Sequence, residues 1–272
     1  MMVSRDSLPL GMTMLDVFLN AAIQAATQAG SYLKSSFPKM HTIESKSHVN
    51  DLVTECDKTS EEMIKETLKR QFPHHGFYCE ESGREDSQQD YTWIIDPLDG
   101  TVNFARKIPF FSVSIALLYN GKIQVGVVYC PFTEELFTAK KGQGAYLNQN
   151  KIAVSSVQTI KKSLGATGFP YVVENRVEAC IKPIERLLIQ GVGLRRLGSA
   201  AIDLAYLACG RFDLFFEVSL EAWDYAAAAL LIEEAGGLIT DYHNQPLPFT
   251  RSSSVMATNN RLHKAFIQEV LQ

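Results

Sequence analysis

The sequence predicts an α+β half followed by an α/β half, on three observations. Two segments with the apolar period of a helix come first, short β-rich runs follow between about Phe77 and Lys151, and beyond about Val154 strands alternate with helices. At 272 residues the chain holds one large core or two smaller ones, because a single core stops growing at roughly 250–300 residues. The change of texture divides it into residues 1–153 and 154–272. No low-complexity linker lies between them, so two closely packed halves sharing a site are expected.

From Leu15 to Phe37 apolar residues recur at helical steps (Leu15, Phe18, Leu19, Ala22, Ala25, Ala26, Ala29, Leu33), and Pro38 stops the helix. A second helix fits "KTSEEMIKETLKRQF", capped by Thr59 or Ser60, with Glu61 and Glu62 at its positive end and Met63, Thr67, Leu68 and Phe72 facing inward. The β runs "GFYCEE", "YTWIID", "SVSIALLY", "QVGVVYC", "ELFTAKK" and "GAYLNQNK" read as an antiparallel meander. Asn120-Gly121 marks a hairpin, since both residues tolerate positive φ. In the second half "SLGATG" and "DLFFEV" read as strands, "SAAIDLAYLACG" and "DYAAAALLIEEAGG" as helices, with a left-handed stop at Gly236-Gly237. "ATNN" and "RLHKAFIQEVL" close the chain as a strand and a helix.

Composition excludes several classes. The net charge of −4 provides no basic field for a nucleic acid, and no window reaches the ~18 uncharged apolar residues of a membrane helix. The N-terminus lacks a basic segment followed by a long apolar run, which argues against a secretory signal. Five cysteines without a C-x-x-C pair suggest neither a disulfide framework nor a zinc site, and read as reduced thiols of a cytoplasmic protein. Six histidines show no ligand spacing and are expected mostly in loops or on the surface. Trp93 and the phenylalanines of "IPFFSVSIAL" read as core.

The chemistry concentrates in "YTWIIDPLDGTVNF", residues 91–104. A continuously apolar strand ends at Asp96, and Pro97, which has no N–H to donate, bends the chain so that Asp96, the Leu98 carbonyl and Asp99 converge. Close carboxylates repel, and a hard divalent cation with oxygen ligands offsets that repulsion. Gly100-Thr101 then offers backbone N–H groups to a phosphate. An Asp-Pro turn with local capping explains the stretch equally well in isolation. Glu80 and Glu81 in "CEES", Asp57 in "LVTECD" with Asp51 directly before it, and Asp224 in "EAWD" add acids at element ends, where surface exposure or helix capping would explain each one alone.

Together, "CEES", "WIIDPLDGTVNF", "GVVYCPFTEELFTAKKGQGAYLN", "RRLGSAAIDLAYLACGRFDLFFE" and "EAWDYAAAALLIEEAGG" resemble the inositol monophosphatase family, bacterial-type, within the lithium-sensitive, magnesium-dependent phosphatases. The resemblance runs from the first helix to about Asn259 and implies a layered αβαβα sandwich, a homodimer, and hydrolysis of small phosphomonoesters, myo-inositol 1-phosphate first among them. It implies two to three magnesium ions: one on Glu80, Asp96 and the Leu98 carbonyl, a second on Asp96, Asp99 and Asp224, and a weaker third on Glu80 with Asp57 in its outer shell. Glu80 and Thr101, with Asp57, would prepare the attacking water, and the Gly100 and Thr101 amides would hold the phosphate. Asp99, Gly198, Ser199, Ala200, Glu217 and Asp224 would face the substrate, and Lys46 would lie in a mobile loop near the metals.

Competing readings are weaker. "LDGTV" approaches the haloacid-dehalogenase signature D-x-D-G-T, but Pro97 stands where that pattern needs its nucleophilic aspartate. "GQGAYL" matches only part of a dinucleotide-binding fingerprint and lies in the meander. Relatives also hydrolyse fructose 1,6-bisphosphate or nucleoside bisphosphates, and some bacterial ones bind the transcription machinery, so those readings stay open. Glu221 is either a solvated loop residue or an extra acid near the substrate entrance.

Overall fold

The structure is a computed structural model that describes residues 11–39, 43–45, 52–171 and 176–272. Lys46, Asp51, His41 and His48 lie outside the described residues.

Helix α1 (Met14–Ser36) starts at a reciprocal cap: the Asp16 N–H donates to the Thr13 hydroxyl (3.3 Å) and the Thr13 N–H to the Asp16 carboxylate (2.8 Å). Phe18, Ala22, Ala25, Ala29 and Leu33 form its buried stripe. Helix α2 (Glu55–Gln71) begins earlier than the sequence suggests, because Thr54 and Asp57 make the same kind of cap. Ser60 is therefore inside the helix, where it donates to the Pro97 carbonyl at 2.8 Å. The buried face carries Asp57, Ser60 and Glu61 beside Ile64 and Leu68, while Met63 and Thr67 are only half-buried. Polar side chains take the inward positions because each bonds to a group of the neighbouring loops, a demand that apolar periodicity does not register.

Strands β1 (Ile43–Ser45) and β2 (Leu52–Thr54) form a small antiparallel pair. The main sheet has eight strands: β3 (Gly76–Cys79), β4 (Gly83–Glu85), β5 (Tyr91–Asp99), β6 (Ser112–Tyr119), β7 (Lys122–Cys130), β8 (Glu135–Lys140), β9 (Ala145–Leu147) and β10 (Asn150–Lys151). The expected meander holds from β5 to β10, with Asn120 (φ 48°) and Gly121 (φ 71°) at the β6–β7 turn. It fails at β3, which pairs parallel with β5. The β3–β4 hairpin forms the outer edge, and the chain returns to start β5 on the other side of β3. As a result Cys79 stands opposite Ile95, so Glu80 and Asp96 emerge at the same end of the sheet.

Beyond the short helix α3 (Thr101–Ala105), the second half contains β11 (Leu164–Thr167), α4 (Val177–Ile189), β12 (Gly193–Arg195), α5 (Ala200–Ala208), β13 (Leu214–Leu220), α6 (Ala222–Glu234), β14 (Leu238–Thr240), β15 (Ser253–Thr258) and α7 (His263–Phe266). Its five-stranded sheet runs β12-β11-β13-β15-β14; β11 is parallel to β12 and β13, and β15 is antiparallel to both its neighbours.

Alternation along the strands sets the layers. Trp93, Ile95, Ile115 and Val127 pack against α1 and α2, whereas Ile94, Ala116 and Val128 join a core with α5, α6, Phe215 and Val255. Leu214, Phe216 and Met256 face outward onto Leu187 of α4 and Phe266 of α7. The order is thus helices, eight-stranded sheet, α5 and α6, five-stranded sheet, helices: an αβαβα sandwich. All five cysteines are free, with only Cys209 partly exposed, and no described helix is long and apolar enough to cross a membrane. His75 and His263 are buried rather than on the surface. His75 stacks between Phe72 and Tyr91, and desolvation lowers its pKa to about 4, which keeps the ring neutral enough to pack as an aromatic.

The central layer fits tightly at Gly126 on β7, where an added Cβ would lie 2.5 Å from the Ala227 carbonyl oxygen of α6. Backbone cannot step aside as a side chain can. Gly126→Ala is expected to cost about 3 kcal/mol, read as a lower denaturant midpoint; an unchanged midpoint would contradict this account of the packing.

Candidate active site

Asp96 and Asp99 are an odd number of residues apart, so an unbroken strand would point them to opposite faces. The strand is not unbroken: Asp96 pairs with Ser114 and Asp99 with Ser112, leaving one extra residue on β5 at Pro97-Leu98. This bulge restores the phase. Leu98 turns into the α1–α2 core, while Asp96 and Asp99 both face α5 and α6. The bend expected at Pro97 is thus a bulge within a continuing ladder.

Helix starts supply the other groups. Asp57 sits in the first turn of α2 and is fully buried; its Oδ1 accepts from the Thr101 hydroxyl at 2.9 Å. Asp99 Oδ2 accepts from the Ser199 hydroxyl (2.6 Å) and the Ala201 N–H (2.8 Å), an anion at the positive end of α5. Asp224 lies in the first turn of α6 and accepts from the Glu221 N–H at 2.8 Å. Asn103 joins the two halves through the Phe110 and Leu197 carbonyls, at 2.8 and 2.9 Å. Gly100, with φ 99°, has the Phe110 and Gly198 carbonyl oxygens within 3.1 and 3.3 Å of where a Cβ would stand, so only glycine fits there.

Asp99, Gly100, Thr101, Ser199 and Asp224 line one cavity of about 660 Å³. Of the residues singled out in the sequence, Glu80, Asp96, Leu98, Asp99, Gly100, Thr101, Gly198, Ser199, Ala200, Glu217 and Asp224 share its wall. Asp57 lies behind Thr101, and Lys46 is outside the described residues. Glu221 caps α6 and also borders the cavity, so it is not simply a solvated loop residue.

The electrostatics are those of crowded acids. Burial raises the Asp96 carboxyl well above its ordinary range, and the charges of Glu80, Asp99 and Asp224 add to the effect. Burial likewise raises Asp224, with Asp99 and Glu80 contributing. Asp99 is pushed up to about 6 by burial, against the lowering effect of its bonds from Ser199 and the start of α5. An all-oxygen set of mutually repelling carboxylates, with the Leu98 carbonyl among them, fits a hard divalent cation. Among the described residues no three such side chains are already closed around one point; the local backbone bonds hold them along the wall.

A family model described as the inositol monophosphatase family matches residues 14–272. The chain belongs to that family. It is 41% identical over 254 residues to the Nus factor SuhB of Escherichia coli, covering 92% of this chain and 94% of that protein. Among solved structures, the inositol monophosphatase from Anabaena (Nostoc) is 40% identical with a TM-score of 0.85, covering 96% of this chain and 97% of that one. The extragenic suppressor protein SuhB from Bartonella henselae is 35% identical with a TM-score of 0.87, covering 93% and 98%. The αβαβα arrangement is therefore the family's fold, and the family is one of phosphatases.

The sequence gives no site role to two acids that the structure places at the site. Glu61 is buried and accepts from the Glu81 and Ser82 N–H groups at 2.9 and 3.0 Å, which fixes the turn carrying Glu80. Its position one turn after Asp57 was the available signal. Asp203 also lines the cavity, 2% exposed. A lone acid within the apolar run "AAIDLAYLA" was the clue there.

Asp57 and Asp99, each raised to about 6, and Glu217, raised by burial to about 8, hold protons more tightly folded than unfolded. Their contribution to stability is complete below the unfolded carboxylate range near pH 4 and is lost as pH rises through about 6 and 8. In chelator, the unfolding temperature should fall from pH 5 to pH 8, and Glu217→Gln should flatten the upper part of the curve. A temperature that climbs across this window would contradict the assignment.

Proposed function

We propose that the chain is a magnesium-dependent phosphomonoesterase of the cytoplasm whose leading substrate is myo-inositol 1-phosphate. One observation carries this reading: Glu80, Asp96, Asp99 and Asp224, drawn from both halves of the sequence (1–153 and 154–272), meet in the cavity that also holds Gly100 and Thr101. The site is assigned two to three magnesium ions on Glu80, Asp96, the Leu98 carbonyl, Asp99 and Asp224. When bound, they supply charge neutralisation and acidify water.

The chain's own residues do the rest. Thr101 donates its single hydroxyl hydrogen toward Asp57 and the Leu98 carbonyl (2.9 and 3.0 Å), leaving oxygen lone pairs to accept from the attacking water. Asp57, with its pKa near 6, takes the proton passed on through Thr101, and Glu80 orients the water from the opposite side. The amides of Gly100 and Thr101 hold the phosphate. Gly198, Ser199, Ala200 and Glu217 face the alcohol, and Lys46 is assigned to the neighbourhood of the metals by family resemblance alone. Free thiols support a reducing compartment. Exposed Val177, Ile181, Leu188 and Ile189 on α4 support a second copy as partner in a homodimer.

The name Nus factor of a relative 41% identical supports a second reading, in which the chain also serves as a regulatory binding partner. Turnover separates the two. The purified protein is expected to release phosphate from myo-inositol 1-phosphate only with magnesium, and to be inhibited by lithium. Fructose 1,6-bisphosphate and nucleoside 3′,5′-bisphosphate should give lower kcat/KM. Asp99→Asn should stay folded and lose activity about 100-fold or more; substantial activity in that variant would refute the ligand assignment, and no turnover of any phosphomonoester by the wild type would leave only the binding role.

A further inference from the structure

We infer that Asp203 is a second carboxyl, beside Glu217, that binds hydroxyl groups of the substrate's alcohol and so sets specificity for polyol phosphates. The inference rests on the proposed phosphatase reading and extends it to a residue given no role there.

Asp203 lies on α5, one turn beyond the Ser199-Ala200 segment, and is 2% exposed. Its Oδ1 is buried with no hydrogen-bond partner among the described residues. A buried carboxyl is expensive unless its oxygens are paired, so an orphaned one calls for a ligand or an ordered water. The residue borders the cavity. The alternative of a structural acid would require a protein donor to Oδ1, and none of the described residues provides one.

Glu217 gives the pole its second member. Strand alternation puts Glu217 on the same face of β13 as Phe215, toward α5, and its carboxyl is buried. Gly168 makes that position possible: a Cβ there would stand 2.1 Å from Glu217 Oε2. Burial raises both carboxyls, Glu217 to about 8, with the Glu217 charge adding to the effect on Asp203, while the guanidinium of Arg196 at the cavity edge works against it in each. Two carboxyls with one shared cation present acceptors in excess of donors. A ring or chain bearing several hydroxyls supplies the missing donors, whereas an aryl ester supplies none. A site built around such bonds discriminates against an analogue lacking the hydroxyl, because its buried acceptors stay unpaired.

The test is Asp203→Asn, which keeps the shape and replaces one carboxyl oxygen by an NH2 donor, assayed with magnesium on myo-inositol 1-phosphate and on phenyl phosphate. The expected result is a roughly tenfold loss of kcat/KM on the inositol ester, carried by KM, with phenyl phosphate changed less than about twofold. The unfolding temperature should not fall, since no bond within the protein is lost. Equal losses on both esters, no loss on either, or a drop of several degrees in unfolding temperature would overturn the inference. Calorimetric binding of free myo-inositol, with magnesium and inorganic phosphate present, provides a readout without turnover: its Kd should rise by the same factor in the variant. If the wild type hydrolyses neither ester, the phosphatase reading fails on its own, and the calorimetry still decides Asp203 by whether the polyol binds and the variant weakens it.

Discussion

The structure is organised around like charges kept out of water. Asp57, Asp96 and Glu217 are buried, Asp99 and Asp224 reach only the cavity, and burial raises the pKa of each. Such a cluster opposes folding unless fixed dipoles or cations offset it. The fold supplies dipoles by aiming helix starts at it: α5 at Asp99, while Asp57 and Asp224 occupy the first turns of α2 and α6. Among the described residues, backbone N–H groups donate to Asp57, Asp96, Asp99 and Asp224.

The same arrangement ties the two halves of the chain together. Asp99 belongs to the eight-stranded sheet, yet its partners, Ser199 and Ala201, open a helix of the second half. Asn103 reaches across to the Leu197 carbonyl, and Ser114 to the Trp223 carbonyl beside Asp224. The middle helices α5 and α6 pack on both sheets through their alanines, which permit approaches as close as that of Gly126 to Ala227. A cavity between layers follows, walled on the side of Asp96, Asp99 and Asp224 by strand and helix ends. Its other end is formed by Glu217, Asp203 and Gly168.

Much of the fold was legible because local signals agreed with one another. Helix α1, the Asn120-Gly121 hairpin and the Gly236 stop each follow from periodicity or from a residue's tolerance of positive φ. The start of α2 was misread because Thr54 and Asp57 satisfy the same cap that Thr59 and Ser60 offered on paper. The inward face of α2 was misread because Glu61 and Ser60 are buried for their bonds to distant backbone groups. The parallel β3–β5 pairing has no local signature at all, since strand neighbours are chosen by the whole sheet.

What the sequence determined by itself was the chemistry on offer: acids at element ends, an apolar strand halted at Asp96, and glycine where a side chain would obstruct. These are properties of short stretches, fixed by residue type and spacing. Only the tertiary structure decided which acids share a face, because that depends on the one-residue bulge at Pro97-Leu98 and on the parallel register of Cys79 with Ile95. It also decided that Asp203 is a cavity residue, since a lone acid in an apolar helix reveals its surroundings only once the sheets have closed around it.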